Sequence, residues 1–220
     1  MRRIPHSMYD SLFSVAQLVL VTNALLAVTC APLVLLLVTT DPSLSWPLLA
    51  VAAAATGPGV AGSFAAFRAH REGERGVVRP FFRGLARVWG RALGVSALVT
   101  AVVVVAIVDL FVLVPTGPGA VAGPVLVVLV VIAIGTGMVQ LAALVEAPTA
   151  RFTDLLRASA ATAVRRWPFT LVSLAAAGAQ AGVFVMAPAL AIGLTASACL
   201  YVVWAGARHS LQPVLRPAAA

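Results

Sequence analysis

From Trp167 to Ala207 the chain runs for 41 residues without a charged side chain. A single helix of that length would reach roughly 60 Å, about twice the hydrocarbon layer of a bilayer. The run therefore has to fold back on itself. Met186-Ala187-Pro188-Ala189 is the natural place, because proline removes a backbone donor and clashes with the preceding turn. Spans are predicted at 168–186 and 189–207.

Residues 11–40, 42–67, 92–108 and 110–145 are also free of charge. They give spans at 12–38, 46–67, 92–114 (continuing past Asp109) and 121–145, with a Pro115-Thr116-Gly117-Pro118-Gly119 turn between the last two. Composition agrees. Of 220 residues, 61% are hydrophobic and 10% charged, whereas a soluble domain has roughly 45–50% and about 25%. Disorder requires low hydrophobicity, the 17 glycines show no three-residue period, and two cysteines make no disulfide framework. The predicted fold is all-α: a polytopic transmembrane bundle of six spans forming one domain over 1–220, with two interfacial amphipathic helices.

Arginine placement orients the bundle. All 15 basic residues are arginine, and against seven acids they give a net charge of +8. They fall before span one, between spans two and three, between four and five, and after six; the opposite loops, 39–45, 115–120 and 187–188, have none. The positive-inside rule makes the arginine side cytoplasmic, with both termini there. Five spans would strand Arg208 and Arg216 on the other side. Arg2-Arg3 before an apolar run has the look of a signal peptide, but the run is much longer than an h-region of about 7–15 residues. Span one is expected to be retained.

Two arginine-side loops are long enough to hold structure. In segment 79–91, Arg79, Arg83, Arg87 and Arg91 recur every four residues, opposite Phe81, Phe82, Leu85, Val88 and Trp89, with Ala92 continuing that side. Pro80 suits a first helical turn. This predicts an interfacial helix with its aromatic face in lipid and its arginines toward anionic headgroups, each worth about 1 kcal/mol. Segment 149–167 repeats the pattern more weakly: Phe152, Leu156, Ala160, Ala163 and Trp167 oppose Asp154, Arg157 and Arg165. Each helix reads as an anchor for the next span or as an elbow for a partner. An interfacial helix followed by two spans is then used twice, over 79–145 and 149–207.

Polar residues inside spans point to substrate paths. They are few: Gln17, Thr22, Asn23 and Thr29 in span one, Gln140 in span four and Gln180 in span five. Asp109 and Glu146 sit near span ends, where a solvated or snorkelled state is expected rather than a proton relay, and no midplane charge supports ion coupling. A neutral path along Asn23, Gln140 and Gln180 stays open. Gly57, Pro58 and Gly59 interrupt span two, as a broken-helix binding site or as close packing. His6, His70 and His209 are scattered, Cys30 and Cys199 read as small apolar side chains, and no phosphate loop, dinucleotide fingerprint or nucleophile elbow occurs. No enzyme activity, metal or cofactor is expected. The basic loops follow from topology, so nucleic acid is not an expected partner.

The stretch TGPGVAGSFAAFRAHREGERGVVRPFFRGLARVWGRALG resembles the hallmark region of the YesL-like family of bacterial membrane proteins. The matching positions are Gly57, Pro58, Phe64, Phe67, Gly73, Glu74, Phe81 and Phe82, with Asn23 and Pro32 upstream. The resemblance spans about residues 10–112 and departs by an insertion around 33–50. It implies a bacterial inner-membrane protein of undefined activity linked to carbohydrate uptake, with no catalytic residues to carry over. The expected role is accessory, with anionic lipids and transporter subunits or a second copy as partners. The alternative is a self-sufficient small-solute transporter or channel.

Overall fold

The computed structural model describes residues 6–113 and 119–215, and these are almost wholly helical, with no strand among them. The helices are α1 (His6–Thr29), α2 (Ala31–Thr39), α3 (Pro42–Ala54), α4 (Gly57–Arg71), α5 (Val78–Leu113), α6 (Gly119–Glu146), α7 (Phe152–Arg165), α8 (Trp167–Met186), α9 (Pro188–Leu190) and α10 (Ala196–Leu215). A π-helical turn, Ala191–Thr195, joins α9 to α10. Five stretches are long and apolar enough to cross a membrane, and the bent pair α1–α2 makes a sixth where it is counted as one span. The protein is a membrane-embedded all-α bundle. Arg2, Arg3, Arg216, Val114 and all of the 115–119 turn except Gly119 lie outside the described residues.

Span one is not the straight helix expected over 12–38: it bends by 71° at Cys30. Pro32 supplies the cause, since it has no N–H for the carbonyl one turn back and is tolerated only in a new first turn. Span two is longer than expected, running over Pro42–Arg71 with a break at Ala55-Thr56. Asp41 caps its start: the Ser43 hydroxyl, then the Ser43 N–H, hold the Asp41 carboxyl below its ordinary range. That contribution is present at neutral pH and is lost as pH falls through the lowered value.

The segment over 79–91 is not a separate interfacial helix. It is the first half of α5, which runs unbroken for 36 residues. At 1.5 Å per residue that is about 54 Å, so the helix extends well beyond the hydrocarbon layer. No proline after Pro80 interrupts it. Its apolar side is also divided differently. Phe81, Val88 and Ala92 are buried, whereas Phe82 and Trp89 are about half exposed, at 48% and 52%. The expected apolar side is a wide arc, and α4 covers only one edge of it.

Helix α4 is enclosed on nearly every side from Gly57 to Phe67, as a stretch of small and apolar residues all round has to be. Its small residues let neighbours approach. Phe81 lies over Gly62, where a Cβ would meet ring carbons at 3.1 Å, and Gly84 lies directly against the Ala65 methyl. Phe67 stacks edge-on against Tyr201 and tilts against Trp204. These side chains, with Leu144 and Leu211, concentrate the core at the arginine-bearing end. The other end is splayed: Phe111 and Met186 are 78% and 89% exposed, surfaces that lipid tails cover as well as leucine would.

Helix α7 occupies the second predicted segment, but Leu155, Ser159, Thr162 and Ala163 are its buried residues, so its inner face is turned by about one position. Trp167 is outside it, at the exposed start of α8. Packing predicts a sharp contrast between two glycines of α5. Gly84→Ala drives a methyl into Ala65 and is expected to destabilise by about 1–3 kcal/mol. Gly90→Ala enters open space and is expected to gain about 0.5–1 kcal/mol from helix propensity. Unfolding in mixed micelles by increasing dodecyl sulfate measures both, and equal shifts would contradict the α4–α5 packing.

Candidate functional site

Among the described residues, the π turn of span six departs from the regular helix ladder. A π turn inserts an extra residue and detaches carbonyls from their usual donors, and such turns are frequent at functional sites. In a regular helix the Ser197 N–H would bond the Gly193 carbonyl four residues back. Here a side chain meets both groups. Asn23 Nδ2 donates to Gly193 O at 3.0 Å, and Asn23 Oδ1 accepts from the Ser197 N–H at 2.7 Å. The carboxamide of span one thus sits in the hydrogen-bond ladder of span six. The Ser197 hydroxyl returns the contact, donating to Val19 O at 3.1 Å.

Gln180, on α8, holds the other end of the turn. Its Nε2 donates to Ala191 O at 2.9 Å, and its Oε1 accepts from the Thr195 hydroxyl at 2.7 Å. Ala191 O also receives the backbone N–H of Ala196, the five-residue bond that defines the π turn. Asn23 is 1% exposed and Ala191 fully buried. Two carboxamides from separate spans therefore fix one backbone irregularity, using donors and acceptors together.

Gln140 does not join them. It is 1% exposed on α6, and its Nε2 has no partner among the described residues. Beside the clamp lies an apolar cavity of about 300 Å³, walled by Leu26, Cys30, Leu33, Phe184 and Cys199, with Gln180 its main polar feature. The bend of span one borders it.

Gly57, Pro58 and Gly59 are buried at the break in span two. Pro58 cannot donate to the carbonyl of Ala54, and the Ser96 hydroxyl of α5 bonds that carbonyl instead. A Cβ on Gly57 would come within 2.5 Å of Ala92 O, and one on Gly59 within 2.5 Å of Thr29 Oγ1. The break is thus filled by neighbouring helices and presents no open carbonyl at Ala54.

The arginines divide into several roles. Arg79, Arg87, Arg157 and Arg165 are exposed. Arg83 pairs with Glu74 at 2.8 Å. Arg91 turns inward from the predicted stripe and donates to Pro148 O and Ala150 O, both at 2.6 Å, while Arg68 donates to Val145 O at 2.7 Å. These guanidiniums cap the carbonyl-rich end of α6 and the link beyond it, where the helix dipole favours cations. Glu146 differs from the solvated acid expected: its side chain is only 11% exposed, and it lies 3.9 Å from Arg208, which stands over Trp204. Thr195 and Ser197 follow Pro188 and so carry a local signal that the sequence reading leaves unused, whereas Ser96 lies inside unbroken α5 with no local signal.

Removing the clamp leaves Gly193 O and the Ser197 N–H without their side-chain partner. Asn23→Ala is expected to cost about 1–3 kcal/mol in unfolding from mixed micelles, and Gln180→Ala a similar amount. Because both hold one turn, the double variant is expected to depart from additivity by at least about 0.5 kcal/mol. Additive costs would show that the two carboxamides act independently. Gln17→Ala, on an exposed face of α1, serves as the neutral control.

Comparison with known proteins returns no family model that matches the chain, and no match among curated proteins or solved structures.

Proposed function

We propose that the protein is a non-enzymatic component of a bacterial cytoplasmic membrane, accessory to carbohydrate uptake, with both termini cytoplasmic. The observation that carries this reading is the use of the in-span carboxamides. Asn23 and Gln180 are committed to the backbone of span six, which leaves them little hydrogen-bonding capacity for a passing sugar. A chain so built works through partners. Its arginine-bearing end offers the means: the first half of α5 projects beyond the hydrocarbon layer, and α7 lies beside the same end with Arg157 and Arg165 exposed. The one-sided arginines support the orientation. The YesL-like resemblance, carried by Gly57, Pro58, Phe64, Phe67, Phe81 and Phe82, supplies the link to carbohydrate uptake.

A second reading, a self-sufficient small-solute transporter or channel, is favoured by one observation. The apolar cavity lies against the bend of span one and the π turn of span six, two breaks of the kind that form transporter binding sites. One pair of measurements separates the readings. Tagged full-length chain purified from solubilised membranes is expected to carry transporter subunits with it, and chain alone in proteoliposomes is expected to give background flux of labelled oligosaccharides. Consistent recovery of no transport subunit would overturn the accessory role. Flux of labelled small solutes by the chain alone, above that of empty liposomes, would establish the second reading.

A further inference from the structure

A second cavity, of about 310 Å³, opens at the arginine-bearing end, away from the π turn. Its floor is small and apolar, from Ala65, Gly84, Val88 and Leu144. Its rim carries three guanidiniums, Arg68, Arg83 and Arg87, and two carboxylates, Glu72 and Glu74. The carboxylates are already engaged. Glu72 accepts from Arg68 Nε at 2.9 Å, and both Glu74 oxygens accept from Arg83 Nη2, at 3.0 and 2.8 Å. Arg87 has no ion-pair or hydrogen-bond partner among the described residues. The rim therefore holds one uncompensated positive charge, on a planar fork one helical turn from Arg83, and Gly84, packed against Ala65, lies in the floor between them.

Depth adds to this. The uncharged stretch of α5 begins at Ala92, five residues beyond Arg87. That places Arg87 about 7–8 Å outside the apolar stretch, at the level of lipid headgroups. A guanidinium fork matches phosphate in geometry and charge. We propose that this cavity binds a phosphate group on the Arg87 fork, flanked by Arg83 and Arg68, over an apolar floor. The phosphate belongs either to a phospholipid headgroup or to a soluble phosphate ester. The site is independent of either transport reading.

The test uses the full chain in detergent micelles with two probes: dioleoyl phosphatidylglycerol, followed by native mass spectrometry, and inorganic phosphate, followed by calorimetry. Arg87→Gln is expected to weaken binding about tenfold, the worth of one bond to a charged group. Arg87→Lys, which keeps the charge and loses the fork, should fall between. Arg71→Gln removes the same charge from an exposed position off the cavity and is expected to change affinity less than about twofold. Glu74→Gln releases Arg83 and is expected to tighten binding. Arginine-dependent binding of phosphatidylglycerol alone assigns a lipid source, and binding of inorganic phosphate with the same dependence assigns a soluble one. Equal losses in Arg71→Gln and Arg87→Gln, weaker binding in Glu74→Gln, or no binding of either probe would overturn the site.

Discussion

Inside a bilayer no water is present to bond a stray backbone group, so each break in a helix must be repaired by the protein itself. The fold of this chain follows from how its breaks are repaired. Pro58 detaches the Ala54 carbonyl, and Ser96 takes it. The π turn of span six loosens the ladder around Gly193 and Ser197, and Asn23 takes both groups. Gln180 and Thr195 close the other end at Ala191. Each repair comes from a different span from the break or reaches across to one, so the repairs also join helices. Asn23, Ser96, Gln180, Thr195 and Ser197 thus serve as connectors between helices.

The two ends of the bundle use different physics. At the arginine-bearing end, water competes for every charge, and order comes from a packed aromatic core under α4 and from guanidiniums that cap α6. At the other end, lipid replaces the core and helices can part without loss. The cavities follow this division. One is apolar and lies against two helix breaks; the other is charged at its rim and lies at headgroup depth.

Much of this architecture is legible in the chain. Helical class and the long apolar stretches follow from charge-free lengths, and the break in span two follows from Gly57-Pro58-Gly59. What escapes is tertiary. The alternating arginines of 79–91 do not say that α5 continues unbroken, because amphipathic and fully apolar helical patterns can join without any local signal at Ala92. The apolar arc from Phe81 to Trp89 does not say which edge a neighbour takes. Pro32 signals a bend, yet its hydrophobic surroundings read as one uninterrupted span. Asn23 and Gln180 are visible as unusual residues, but their shared target is a backbone irregularity, and Ala191 to Thr195 carry no sequence mark of one. Gln140 looks the same in sequence and is left out.

The central claim is that Asn23 completes the backbone of span six and does not line a wet path. Amide hydrogen exchange at Ser197, in the full chain in lipid nanodiscs, tests this most directly. The claim predicts a Ser197 amide as protected as those of the α10 residues that follow it, and an Asn23→Leu variant in which that protection is lost while the rest of α10 keeps its own. Rapid exchange at Ser197 in the unaltered protein, or unchanged protection in the variant, would contradict it.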